Sequence, residues 1–144
     1  MAKVSNILAR KGHDTISVAP TTSVYQALEL MADKNIGALV VQNGETYLGI
    51  ITERDYSRKV ILKGKHSSDT TAEEIMSTNL PRISPDDSVE HCMELMSDKN
   101  IRYLPVFISA RLAGIISISD VVKETILQQK ETISHLQDYI HSNG

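Results

Sequence analysis

Two short segments of the chain carry the same arrangement of reactive groups. Gly49-Ile50-Ile51-Thr52-Glu53-Arg54-Asp55 and Gly114-Ile115-Ile116-Ser117-Ile118-Ser119-Asp120 each read as an apolar strand passing into a helix, with a hydroxyl three residues ahead of a carboxylate. Taken alone, each aspartate is a simple helix N-cap, accepting from the N–H groups of the next turn. An N-cap by itself asks for neither a hydroxyl three positions upstream nor a glycine six upstream, and both segments have them. A carboxylate beside a hydroxyl at such a junction can also accept bonds from two vicinal sugar hydroxyls. Nearby helix N-termini offer unsatisfied N–H groups and a positive dipole end to a phosphate. The pattern suits a nucleotide.

Other chemistry has no visible carrier. The chain contains no Gly-x-Gly-x-x-Gly fingerprint, P-loop, His-Glu-x-x-His or Gly-x-Ser-x-Gly elbow. Its five histidines, His13, His66, His91, His135 and His141, show no metal-ligand spacing, and a single cysteine makes a zinc site improbable. Cys92 sits beside Met93 on the apolar side of a helix and reads as a small core residue rather than a nucleophile. The expectation is a protein that is not an enzyme and has no metal or catalytic cofactor.

The elements that must hold the two segments come in duplicate. Leu30-Met31 recurs as Leu95-Met96, Asp33-Lys34-Asn35-Ile36 as Asp98-Lys99-Asn100-Ile101, and Pro20 as Pro85, all at one offset of about 65 positions. Shared apolar periodicity alone would not match the polar residues at a single offset. Each copy reads as strand, helix, strand, strand, helix. In the first, Ile16-Ser17-Val18 is extended. Ser23 with Gln26 forms a capping box, and Val24, Ala27, Leu28 and Met31 follow at helical spacing. Residues 38–42 and 47–52 are strands joined across Asn43-Gly44, a type I′ hairpin signal, and a helix follows near Asp55. In the second copy the helix spans about 89–99, the strands about 103–108 and 112–117, and the last helix starts near Ser119-Asp120.

The fold class expected is α/β (α+β): two tandem β-α-β-β-α repeats packed as a pseudo-twofold pair, with a long C-terminal helix. The boundaries expected are 10–62 for the first repeat, 63–72 for a polar linker broken at Gly64, 73–126 for the second repeat and 127–144 for a C-terminal amphipathic helix. Thr71 with Glu74 caps a short helix through Ile75-Met76. Val122, Ile126, Ile133, Leu136 and Ile140 form one stripe on the last helix, suited to self-association, to partner docking or to folding back over the core. The 144 residues, 41% hydrophobic and 23% charged, fit a soluble globular chain, and a net charge of −3 argues against a nucleic-acid binder. One cysteine excludes an intramolecular disulfide, and no apolar run reaches the ~18 residues of a membrane span, so a cytoplasmic protein without membrane contact is expected.

Together the two acidic motifs, Asn100-Ile101-Arg102-Tyr103-Leu104-Pro105-Val106, and Glu73-Glu74-Ile75-Met76 opening the second repeat resemble tandem CBS domains, the paired repeats called a Bateman module. The Thr-Glu-Arg-Asp-Tyr-x-Arg-Lys segment and the Gln137-Asp138-Tyr139-Ile140 tail resemble a stand-alone subgroup found in bacteria and plant organelles. The resemblance implies a non-catalytic regulatory sensor binding an adenine nucleotide (AMP, ADP, ATP or NAD(H)) and signalling to an unidentified partner protein, and it implies a homodimer. A ligand-independent homodimeric scaffold is the alternative. The resemblance also implies two clefts. One would combine Ser117, Ser119 and Asp120 with Asp14, Ile16, Ile36 and Gly37; the other would combine Thr52, Arg54 and Asp55 with Asn79, Pro81, Ile101 and Arg102. Arg54, Arg58, Lys59 and Arg102, which stands where the first repeat has Gly37, are the phosphate-contact candidates. They suggest that the Asp55 cleft takes the more highly phosphorylated ligand. Asp14 would repel a phosphate at the other.

Overall fold

The computed structural model describes residues 2–143. The chain divides into two compact units, Asp14–Leu80 and a second built from Met1–His13 together with Pro81–Gly144. Each is a small mixed α/β body, as the duplicated pattern implies.

In the first unit the order is β1 (Ser17–Val18), α1 (Val24–Lys34), β2 (Ala38–Asn43), β3 (Thr46–Thr52), α2 (Glu53–Lys59), a 3-10 turn (Ile61–Lys63) and α3 (Ala72–Ile75). β1 runs parallel to β2, and β2 antiparallel to β3, with Leu39 opposite Ile51 and Ala38 opposite Thr52. Helix α1 starts at Ser23, whose hydroxyl accepts the Gln26 N–H at 3.1 Å. It ends at Asn35, in the left-handed region at φ 55°. Val24, Ala27 and Met31 turn inward and pack with Leu39, Val41, Ile51 and Ile75. This apolar burial, rather than propensity, holds an 11-residue helix in place.

The second unit repeats the design. Its helix αN (Val4–Lys11) is followed, far along the chain, by α4 (Val89–Lys99), β4 (Tyr103–Ile108), β5 (Arg111–Ser117) and α5 (Ile118–Asn143). Leu104 faces Ile116 just as Leu39 faces Ile51, and both hairpins slip register at the matching place, Val41/Gln42 and Val106/Phe107. The first strand shrinks to a parallel bridge between Ile83 and Val106. Helix α4 ends at Asn100, φ 52°. The recurring Asp-Lys-Asn-Ile thus has a backbone cause: asparagine tolerates the left-handed C-cap that closes each helix.

Two local expectations need correction, and one helix had no expectation at all. The first hairpin closes around Gly44-Glu45, since Asn43 pairs with Thr46. Only Gly44 (φ 62°) has positive φ there, so the type I′ turn, which needs two such residues, does not form. At Ser23 only the hydroxyl half of the capping box is made. Helix αN was not anticipated: Lys3 precedes it in place of a Ser, Thr or Asp cap, and its core residues Val4, Ile7 and Leu8 pack against Val89, Met96 and Ile116. The Thr71–Glu74 box is present: Glu74 accepts the Thr71 N–H at 2.6 Å, and these bonds hold its carboxyl below the usual range.

Candidate functional site

At each strand-to-helix junction the hydroxyl and the carboxylate hold one another in a reciprocal cap. Asp55 Oδ2 accepts the Thr52 N–H and hydroxyl, both at 3.0 Å, while Thr52 Oγ1 accepts the Asp55 N–H at 3.0 Å. Asp120 Oδ2 accepts the Ser117 N–H at 2.8 Å, and Ser117 Oγ accepts the Asp120 N–H at 3.2 Å. This corrects the role read from sequence. Thr52 and Ser117 are the N-caps and the aspartates stand three positions inside, so a capping box does explain a hydroxyl three residues upstream.

The glycines six residues upstream have a structural cause as well. A Cβ on Gly49 would lie 2.6 Å from the Ser77 carbonyl, which pairs with Ile50 across an isolated bridge. A Cβ on Gly114 would lie 2.9 Å from Leu8 Cδ2 on αN. Each glycine therefore admits a second segment against the strand, and each segment delivers a polar group to the aspartate. Ser77 Oγ donates to Asp55 Oδ1 at 3.1 Å. Lys11 Nζ lies 2.8 Å from Asp120 Oδ2 and donates to the Ile115 carbonyl at 2.9 Å.

The two acids end up in different states. Asp55 is 6% exposed, and Lys59 Nζ, one turn on, lies 3.0 Å from its Oδ1 while donating to the Ile75 carbonyl at 2.8 Å. Both oxygens of Asp55 are thus engaged. The Asp120 side chain is 19% exposed, and its Oδ1 accepts no hydrogen bond among the described residues.

Of the residues singled out from sequence, Asp14, Ile16, Ile36, Gly37, Thr52, Arg54, Asp55, Arg58, Lys59 and Asn79 lie in the first unit, and Pro81, Ile101, Arg102, Ser117, Ser119 and Asp120 in the second. Within the first, the Gly37 carbonyl accepts the Glu53 N–H at 3.1 Å, and the Ile16 carbonyl accepts the Val40 N–H at 3.0 Å. Within the second, the Arg102 carbonyl accepts the Ile118 N–H at 2.9 Å. Each helix-to-strand turn therefore borders its own unit's junction. Lys59 is committed to Asp55 and Ile75, while Arg58, Arg102, Ser119 and Asp14 are exposed. Sequence reasoning missed Ser77 and Lys11, whose partners lie 22 and 109 residues away, beyond any local spacing signal. Cys92 is fully buried, and burial pushes its thiol up to about 11. Among the described residues, no group of three or more His, Cys, Asp or Glu could hold a metal ion, and no helix is long and apolar enough to cross a membrane.

A small α/β unit made twice, each copy with a capped acidic junction, defines a tandem-repeat module. The chain belongs to the CBS domain family, matched over residues 4–61 and 72–126. It is 36% identical over 146 residues to the CBS domain-containing protein CBSX3, mitochondrial, of Arabidopsis thaliana, covering 95% of this chain and 71% of that one. Among solved structures it is similar to a protein with CBS domains from Burkholderia ambifaria MC40-6 (42% identity, TM-score 0.84, 89% of this chain and 96% of that one). It is also similar to the CBS-domain containing protein ATU1752 from Agrobacterium tumefaciens (37%, TM-score 0.80, 85% and 98%). Paired CBS domains generally act as regulatory modules that bind adenosine ligands, and stand-alone members are typically non-catalytic.

Proposed function

We propose that the chain is a non-catalytic sensor of an adenine nucleotide (AMP, ADP, ATP or NAD(H)) that acts in the cytoplasm as a homodimer and passes its state to a partner protein. One observation carries the reading. Asp120 keeps one carboxylate oxygen open while Ser117 and Lys11 anchor the other, which is what a ribose diol at a helix N-terminus requires. The ribose docks on Asp120 with Ser117 and Ser119 beside it, and the Lys11 ammonium offers a cation to the phosphate. At the other junction Asp55 has no open oxygen, so Thr52, Arg54 and Arg58 accept a ligand there only if the Ser77 or Lys59 bond is given up.

The test is isothermal calorimetry with AMP, ATP and NADH, backed by thermal unfolding; a ligand at 100 times its dissociation constant adds about 2.7 kcal/mol. Binding of at least one nucleotide, weakened tenfold or more by Asp120→Ala, is the expected result. A second reading, a ligand-independent scaffold, draws on the completeness of the two capping boxes. No heat and no shift with any of the three nucleotides would select it.

A further inference from the structure

The last helix carries a feature that nucleotide sensing does not use. Beyond Gln128 no described side chain of α5 is more than partly covered, yet Ile126, Ile133, Leu136 and Ile140 are 45%, 55%, 57% and 65% exposed. These residues, with Val122 and Gln129, fall on alternating spacings of three and four. Lettered as a heptad, Ile126, Ile133 and Ile140 occupy a, and Val122, Gln129 and Leu136 occupy d. Glu124 and Glu131 occupy f, the opposite face, and there Arg10 of αN holds them, at 2.8 Å and 3.9 Å. The body thus grips the f face of α5 and leaves the apolar residues of the a/d seam exposed. At its base the seam meets an open groove between α4 and α5, bordered by Ala2, Met93 and Ile133.

We infer that the exposed seam of α5 pairs with the same seam of a second copy as a parallel two-stranded coiled coil. β-Branched isoleucine at every a position from 126 on, with Leu136 at d, favours two parallel strands, and the polar Gln129 at d, between Ile126 and Ile133, restricts the register. Charge selects the direction. In a parallel pair the g residues Thr125 and Thr132 face Lys130 and Gln137 at e of the other copy, and no like charges meet. Antiparallel pairing would align Lys123, Lys130 and Gln137 with one another, without an acid to offset them. This inference rests on the self-association proposed above and assigns it a surface; it is independent of the nucleotide.

Sedimentation of the full chain and of Ile133→Asp/Leu136→Asp, with single cysteines for mild oxidation, tests it. Both substituted positions are exposed, so the fold should survive, as circular dichroism will report. Expected are a multimeric parent, self-association weakened at least about tenfold in the double variant, and covalent dimers from Leu136→Cys but not from Asp138→Cys at f. Buried Cys92 stays out of the reaction. A monomeric parent overturns self-association as a whole. A multimer indifferent to the aspartates, as when the stripe meets a lipid surface or an unrelated chain, or Leu136→Cys left uncrosslinked, overturns the coil alone.

Discussion

Asp55 and Asp120 stand at the same place in the two repeats and have different neighbours. Asp55 is buried under two bonds from Thr52, one from Ser77 and the ammonium of Lys59. Asp120 is tied at one oxygen and reaches solvent. Their alanine variants should therefore separate folding from binding. Asp55→Ala removes a buried hub and is expected to cost about 2–3 kcal/mol in urea unfolding. Asp120→Ala should cost about 1 kcal/mol, the worth of a cap, yet abolish most nucleotide heat. The pairing of hydroxyl with carboxylate was legible in the sequence because it spans three residues. Its geometry was not, since a reciprocal box and a lone N-cap differ only in which residue begins the helix. Ser77 and Lys11 left no trace, because only tertiary contact brings them to their acids.

At the scale of elements, the two hairpins make a natural comparison. Each turns at a residue with positive φ, Gly44 at 62° in the first and Ser109 at 56° in the second. A left-handed serine is strained by its Cβ, whereas glycine is not, although glycine gives up more chain entropy on folding. The strain is the larger of the two, so Ser109→Gly is expected to stabilise by about 0.5–1 kcal/mol, visible as a raised urea midpoint at unchanged slope. Helices α1 and α4 could be read from spacing because Val24, Ala27 and Met31, and Val89, Cys92 and Met96, form inward stripes ahead of an asparagine stop. Helix αN was opaque. It offers eight residues without a Ser, Thr or Asp cap, and its reason for being helical lies about a hundred positions away, where Arg10 meets Glu124.

For the whole molecule, Cys92 provides a probe of opening. Its thiol is fully buried and pushed up to about 11 by that burial, so at neutral pH almost none is thiolate in the folded chain. Reaction with a disulfide reagent should therefore run at the rate at which the second unit opens, and added nucleotide should slow it; fast, stoichiometric labelling of the native protein would contradict the packing around α4. That second unit is assembled from both ends of the sequence, with αN closing against strands that follow some hundred residues later. During synthesis αN emerges from the ribosome well before β4 and β5 exist, with the whole of Asp14–Leu80 made in between. Helix αN is thus made well before the strands it docks against, and until they arrive Val4, Ile7 and Leu8 stand open to whatever chaperone attends the nascent chain.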